Sequence, residues 1–235
     1  MLEIVNGHYV HGTFSLDISL AAKSGELIAI LGPSGAGKST LLNIIAGFDT
    51  MHNGRIIIDE QDATLQPPSR RPVSMVFQDN NVFPHLTLWQ NVALGLASNL
   101  KLNNAERLNV DTALARVGLV ALATRKPGEV SGGERQRVAL ARVLVRPTKV
   151  LLLDEPFAAL DPGLRQNMLA LVKEITYERG LVTLLVSHQP LEIHDAADAV
   201  VFVADGQVRQ PEKPSAFFAN TANPAVATYL GKASR

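Results

Sequence analysis

The sequence predicts an α/β fold: a parallel sheet covered by helices, with an antiparallel β region near its start and a helical insertion. Three observations predict it. Continuous apolar runs, "ELIAIL", "VSMVF", "VLLLDEP" and "LVTLLVSH", read as strands covered on both faces, and they alternate with helical patterns. "TFSLDISLAA" instead sets Phe14, Leu16, Ile18 and Leu20 at period two, the pattern of a half-buried strand. From Phe83 to about Arg146 the strand signals vanish and helix-period segments take over.

The elements follow in order. "ELIAIL" runs into a glycine loop and then "KSTLLNIIAGF", which places Leu41, Leu42, Ile45 and Ala46 on one helical face and stops at Gly47. Pro67 and Pro68, with Ser69, Arg70, Arg71 and Pro72, make a stiff loop ahead of "VSMVF"; the two arginines are expected to be solvated. "TLWQNVALGL", "NNAERLNVDTALARVG" and "ERQRVALARVLV" are helices of a subdomain expected over 84–146, inserted in one domain spanning 1–235. After the hairpin-type pair Asp205-Gly206, only short helical pieces remain.

Bulk properties narrow the function. The 235 residues are 46% hydrophobic and 19% charged, the composition of an ordinary globular chain. Formal net charge is zero, so there is no global basic field to draw nucleic acid. No cysteine is present, which removes disulfides, thiolate metal sites and cysteine nucleophiles. "MLEIVNGHYV" lacks the charged start and apolar run of a signal peptide, and no apolar run is long enough to span a membrane. A soluble, cytoplasmic protein is expected.

The chemistry concentrates at the ends of the apolar strands. "GPSGAGKS" fits the GxxxxGKS phosphate loop, with a strand before it and a helix after. Backbone N–H groups from Ser34 to Ser39 can wrap phosphates, Lys38 can reach the β- and γ-phosphates, and the Ser39 hydroxyl can bind Mg²⁺. "VLLLDEP" ends a strand in Asp154, placed to hold the metal, and Glu155 follows, where a carboxylate can polarise an attacking water. Gln78 and His188 also fall at strand ends, and Tyr9 could stack on a base. A second glycine-rich helix start, "EVSGGERQR", holds Ser131, Gly132, Gly133 and Glu134; Ser131 and Glu134 fit the S-x-x-E capping box.

With Gly32 to Ser39, Gln78, "SGGE", "LLLDEP", "AALD" and Ser187-His188 in this order, the chain resembles the ATP-binding subunits of ABC transporters, from near Leu2 to about Val208. The resemblance implies that Gly32, Pro33, Ser34, Gly35, Ala36, Gly37, Lys38, Ser39 and Thr40 are the Walker A loop. It makes Asp154 the Walker B metal aspartate, Glu155 the catalytic glutamate, Gln78 the Q-loop residue, His188 the switch histidine and Tyr9 the adenine-stacking aromatic. Ser131 to Glu134 match the signature, usually LSGGQ, and Asp161 the D-loop aspartate. The resemblance implies that these two segments complete the ATP site of a second copy in a head-to-tail dimer. Val130 and Glu134 depart from the signature, and Glu134 brings a negative charge near a triphosphate.

"PPSRRPVSMVFQDNNVFPHLT" and the short length are similar to the ATPases of bacterial thiamine importers. The resemblance implies ATP and Mg²⁺ as cofactors, membrane permease subunits as partners, an indirect periplasmic binding protein, and a place at the cytoplasmic face of the inner membrane. Another small solute, such as a metal, anion or polyamine, is the alternative cargo. Soluble ABC-type ATPases usually carry two cassettes or a long coiled-coil insertion, and the sequence shows neither; a P-loop kinase gives no reason for the ordered later motifs.

Overall fold

The computed structural model describes residues 1–77, 82–220 and 222–231, with Leu191 and Glu192 as backbone only. Gln78 therefore lies outside the described residues. The chain divides into two compact units, one of residues 1–73, 148–154 and 172–235, the other of residues 74–147 and 155–171.

The first unit is built on one mixed sheet. In chain order it contributes β1 (Leu2–His11), β2 (Phe14–Ala22), β3 (Leu27–Leu31), β4 (Asn53–Ile58) and β5 (Gln61–Asp62). Further along come β7 (Val150–Asp154), β8 (Val182–Val186), β9 (Ala199–Ala204) and β10 (Gln207–Val208); β6 (Val73–Val76) carries the chain out of the unit. The order across the first unit is β5-β4-β1-β2-β10-β9-β3-β8-β7. β9, β3, β8 and β7 run parallel, whereas β2, β1, β4 and β5 pair antiparallel. The parallel strands β3, β7 and β8 are buried at every residue, which is why they read as unbroken apolar runs. In β2 the alternation is half-buried: Leu16, Ile18 and Leu20 are sealed in and the residues between them face out.

Two strands escape a simple period. β1 slips register between Ile4 and Gly7, with Asn6 at φ 49, so its apolar positions change face midway. Asp205 (φ 52) and Gly206 (φ 71) turn β9 into β10 with both central residues left-handed, as the hairpin pair predicts.

Helix α1 (Lys38–Ala46) packs against β7 and β8 and ends at Gly47, φ 87. Its C-terminus corrects one expectation. Arg71 is buried, not solvated, and its guanidinium donates to Ile44 O (2.7 Å), Ile45 O (2.8 Å), Gln66 O (2.9 Å) and Thr64 O (3.0 Å). α1 has no basic residue in its own last turn, so a side chain 25 residues beyond its end satisfies those carbonyls. Gly47 leaves room for it: a Cβ there would sit 2.7 Å from Arg71 Nε.

The second unit holds α2 (Leu88–Ala93), α3 (Asn104–Arg116) and α4 (Gly132–Leu144), with α4 packed on both others. Each begins with a capping box, Thr87/Gln90, Asn103/Glu106 and Ser131/Glu134, which stops the chain from fraying at three loop-to-helix junctions. Asn91, fully buried on α2, accepts from Arg142 of α4 at 2.7 Å and donates to Phe83 O, Leu86 O and Thr87 O. α5 (Pro162–Glu178) starts in this unit and ends in the first. α6 (Pro190–Ala196), α7 (Pro214–Ala219) and α8 (Pro224–Tyr229) belong to the first unit.

Candidate functional site

Because β3, β8 and β7 are parallel neighbours, their carboxyl ends share one edge of the sheet: Ile30 pairs with Val186, and Val186 with Asp154. The phosphate loop leaves β3, His188 follows β8 by two residues, and Asp154 closes β7. The fold therefore assembles at one edge a loop and two side chains that lie more than 100 residues beyond it in sequence.

The loop is shaped by backbone that only glycine tolerates well. Gly32 has φ 152, and a Cβ on it would stand 2.1 Å from Val203 O on the neighbouring β9. Gly35 (φ 77) and Gly37 (φ 103) bend the chain into α1. Gly37 is the N-cap and supplies no side-chain hydrogen bond, so the first-turn amides face outward at the positive end of the helix. Pro33, Ser34, Gly35 and Ser39 are exposed, while Ala36, Gly37 and Thr40 are half-buried. Lys38 is only 6% exposed, and its ammonium bonds Gly32 O at 2.9 Å and Pro33 O at 2.8 Å. An anion arriving in the loop meets a cation already held at its base.

Asp154 is 8% exposed and ends a strand that α1, the helix of Ser39, packs against. A hydroxyl and a carboxylate are oxygen donors suited to Mg²⁺, which takes one or two protein ligands and fills its shell with phosphates and water. No cluster of three or more His, Cys, Asp or Glu able to cage a metal occurs among the described residues, so this donor set fits a shared metal and not an all-protein cage. Glu155, next in the chain, sits in left-handed backbone at φ 49, uncommon for a residue with a side chain.

Near the loop lies an aromatic group that sequence reasoning partly missed. Tyr9 is 8% exposed, with its ring edge-on to Phe14 at 6.4 Å and to His52 at 6.5 Å. Phe14 is the more open ring and reaches to Gly37, where a Cβ would stand 2.7 Å from its Cζ. Period two marked Phe14 as a core residue, and nothing in spacing alone could place it against the loop.

In the second unit, Ser131 caps α4. Its hydroxyl accepts from the Glu134 amide at 3.2 Å and donates to Glu134 Oε2 at 2.9 Å, and that same carboxylate oxygen accepts from the Ser131 amide at 2.7 Å. These bonds, then the Arg137 and Arg125 charges, hold the Glu134 carboxyl below the usual carboxylate range. Its charge is turned back onto its own helix start. Gly133 is tight, since a Cβ would meet Leu160 Cδ2 at 2.8 Å, whereas a Cβ on Gly132 would make only ordinary contacts. The 157–161 loop is tied to α4 by Gln136 Oε1, which accepts from the Ala159 amide at 3.3 Å. Asp161 caps α5 by accepting from the Leu164 amide at 2.9 Å, and Arg165 holds the same loop through Leu160 O at 2.9 Å. The sequence motifs gave no hint of Gln136 or Arg165.

A groove of about 410 Å³ in this unit is lined by Met75, Phe77, Phe83, Pro84, Arg142 and Arg146. Phe83 is 45% exposed and lies under the Arg142 guanidinium at 5.4 Å.

The pattern of the ABC transporter family matches residues 16–158, more than half of the chain and the stretch from β2 to just past Asp154. The chain belongs to the ABC transporter family. This cassette is 50% identical to the thiamine import ATP-binding protein ThiQ of Ruegeria sp. (strain TM1040) over 231 residues, covering 98% of the chain and 100% of the relative. The protein of the same description from Salmonella paratyphi A (strain ATCC 9150 / SARB42) is 52% identical over 208 residues, 88% of each. Among solved structures, the cassette superposes on the ADP conformation of the ATP-binding cassette MJ1267 with TM-score 0.86 at 25% identity, covering 98% of both chains. It superposes on the dimeric post-hydrolysis state of the cassette MJ0796, bound to ADP and Pi, with TM-score 0.78 at 30% identity, covering 91% of this chain and 99% of that one.

Proposed function

We propose that this cassette is the ATP-hydrolysing subunit of a bacterial thiamine importer, working at the cytoplasmic face of the inner membrane as a peripheral protein. The observation that carries the cargo is 50% identity to a thiamine import ATPase along the full length of that relative. No helix among the described residues is long and apolar enough to cross a membrane, so membrane attachment is assigned to permease partners. The Phe83 groove and the surface from Gln78 to Trp89 are the proposed docking face for the permease, and a periplasmic binding protein delivers the solute to it. We also assign 84–146 as the helical subdomain of a single ATP-binding domain.

The chemistry follows from the sheet edge. The amides of Ser34 to Thr40 and the Lys38 ammonium take the phosphates of ATP, with Gly32 and Pro33 shaping the loop. Mg²⁺, held by Ser39, Asp154 and Gln78, would draw negative charge off the β- and γ-phosphates. Glu155 accepts a proton from a water as its oxygen attacks the γ-phosphorus; the bridging bond to the β-phosphate breaks, and ADP and phosphate leave. His188 holds the γ-phosphate, and Tyr9 with Phe14 packs the base. A second copy lies head to tail, so that its Ser131, Gly132, Gly133, Glu134 and Asp161 close the site over the phosphates; the dimeric cassette MJ0796 supports this reading. Dimer closure on two ATPs and reopening after hydrolysis drive the permease.

Co-purification of the chain with its permease, and ligand analysis of the associated binding protein, tests the reading. Recovery of thiamine supports it. Recovery of a metal, an anion or a polyamine overturns the cargo and leaves the ATPase in place.

A further inference from the structure

The C-terminal helix α8 packs at the strand end from which the phosphate loop leaves, and no motif accounts for it. Pro224 opens the helix, and Asn223 Oδ1 caps it by accepting from the Ala225 amide at 3.0 Å. Val226 and Ala227 are its buried residues. The Tyr229 ring lies 5.6 Å from Phe202, which is 5.5 Å from Phe217, and both phenylalanines are buried. Phe202 sits on β9 directly opposite Leu31, and the next residue after Leu31 is Gly32. Val203 O occupies the space that a Gly32 side chain would need. α8 is therefore laid across the strand ends at the place where the loop begins.

The hydroxyl of Tyr229 is the unexpected part. It is buried and has no hydrogen-bond partner of good geometry among the described residues, although it faces the Gly32 backbone N–H. Phenylalanine would fill the same aromatic cluster without burying an unpartnered hydroxyl, so packing alone gives no reason for tyrosine. Burial raises the phenol above its ordinary pKa, which keeps it neutral across physiological pH.

Gly32 is held from its other side. Its carbonyl accepts from Lys38 Nζ, the ammonium for which a triphosphate competes. The Gly32 carbonyl belongs to the Gly32–Pro33 peptide and its N–H to the Leu31–Gly32 peptide, so Lys38 and Tyr229 lie on the two sides of one glycine. When phosphates draw Lys38 away, the Tyr229 hydroxyl is left as the restraint from the α8 side. We propose that Tyr229 is a positioning residue for the phosphate loop: α8 braces the first peptide of the loop, and the bond from Gly32 N–H to the Tyr229 hydroxyl closes when phosphates occupy it. This rests on the reading of 32–40 as the nucleotide loop.

The test is a binding titration of the full chain with a fluorescent ATP analogue and, in parallel, with inorganic tripolyphosphate, alongside thermal melts. Tyr229→Phe deletes only the hydroxyl. The expected result is a loss of at least threefold in affinity for both probes, with Tm unchanged or raised because a buried polar atom has gone. Unchanged affinity, or a loss that merely follows a fall in Tm, overturns the proposal. Tyr229→Ala removes the brace as well and is expected to lower Tm; should it fail to fold, Tyr229→Phe still decides. Lys38→Ala separates the two readings. Weak binding by Lys38→Ala with wild-type binding by Tyr229→Phe rejects α8 as a brace and keeps the loop, whereas full binding by Lys38→Ala rejects both.

Discussion

Glu155 occupies left-handed backbone at φ 49, which costs a residue with a Cβ about 1 kcal/mol or more. Such strain is retained where the side chain must point in one direction, and Asp154, which precedes it, already ends a buried strand at the phosphate edge. Glu155→Gln keeps shape and hydrogen bonding but cannot take a proton. Steady-state hydrolysis is expected to fall about 10²-fold or more while ATP binding is kept; turnover at the wild-type rate would remove Glu155 from the base role. The signature glycines offer a paired test. Gly133→Ala pushes a Cβ to 2.8 Å from Leu160 Cδ2 and should destabilise the chain by about 1–3 kcal/mol in a denaturant melt. Gly132→Ala meets only ordinary contacts and should leave stability within about 1 kcal/mol while hydrolysis drops, if the space above Gly132 belongs to the partner's phosphates. Residue types and spacing pointed to Lys38, Asp154, Glu155 and His188 because their chemistry is local to a strand end. Phe14, Gln136 and Arg165 carried no such sign, since each works on a segment remote from its own motif or period.

At the scale of elements, two helices that present glycine-rich starts are secured in different ways. α4 is closed by its own residues, the Ser131/Glu134 box, so the reason for Glu134 could be read from four consecutive letters. Because its carboxyl is held below the usual range, the stability it adds is complete above the unfolded carboxylate pKa, near about pH 4.3, and is lost as pH falls through the lower folded value. Acid melts should accordingly show a smaller loss between neutral pH and about pH 3 for Glu134→Gln than for the wild type. Hydrolysis by Glu134→Gln should stay within about tenfold of wild type, roughly 1.4 kcal/mol on the barrier; a larger change would mean that the carboxylate faces the phosphates. α1 has no such local solution. Its cap is Gly37, its last turn has no basic residue, and its C-terminal carbonyls depend on Arg71. Arg71→Met strands buried acceptors and is expected to cost about 3 kcal/mol by denaturant melt, with Arg71→Lys recovering only part because an ammonium cannot fork to four carbonyls. A cost below 1 kcal/mol would return Arg71 to the solvated role that its setting among prolines and a serine suggests.

For the whole molecule, the decisive prediction concerns assembly. Each chain carries one phosphate loop in its first unit and one signature helix in its second, and the proposed site joins the loop of one copy to the signature of another. Lys38→Ala and Gly132→Asp should each be nearly inactive alone. Mixed, they form dimers in which one site pairs an intact loop with an intact signature, so hydrolysis should recover; no recovery on mixing would mean that each chain completes its own site. The sequence by itself determined the fold class, the glycine loop between β3 and α1, the carboxylate that closes β7 and the Ser131/Glu134 capping box, because each is written in contiguous residues whose period or φ requirement is local. Only the tertiary structure decided that Arg71 serves α1, that Phe14 lies on Gly37 and that Tyr229 faces Gly32. The reason is physical: those contacts depend on the order of strands across the sheet, which sets distant segments side by side and leaves no periodic trace in any one of them.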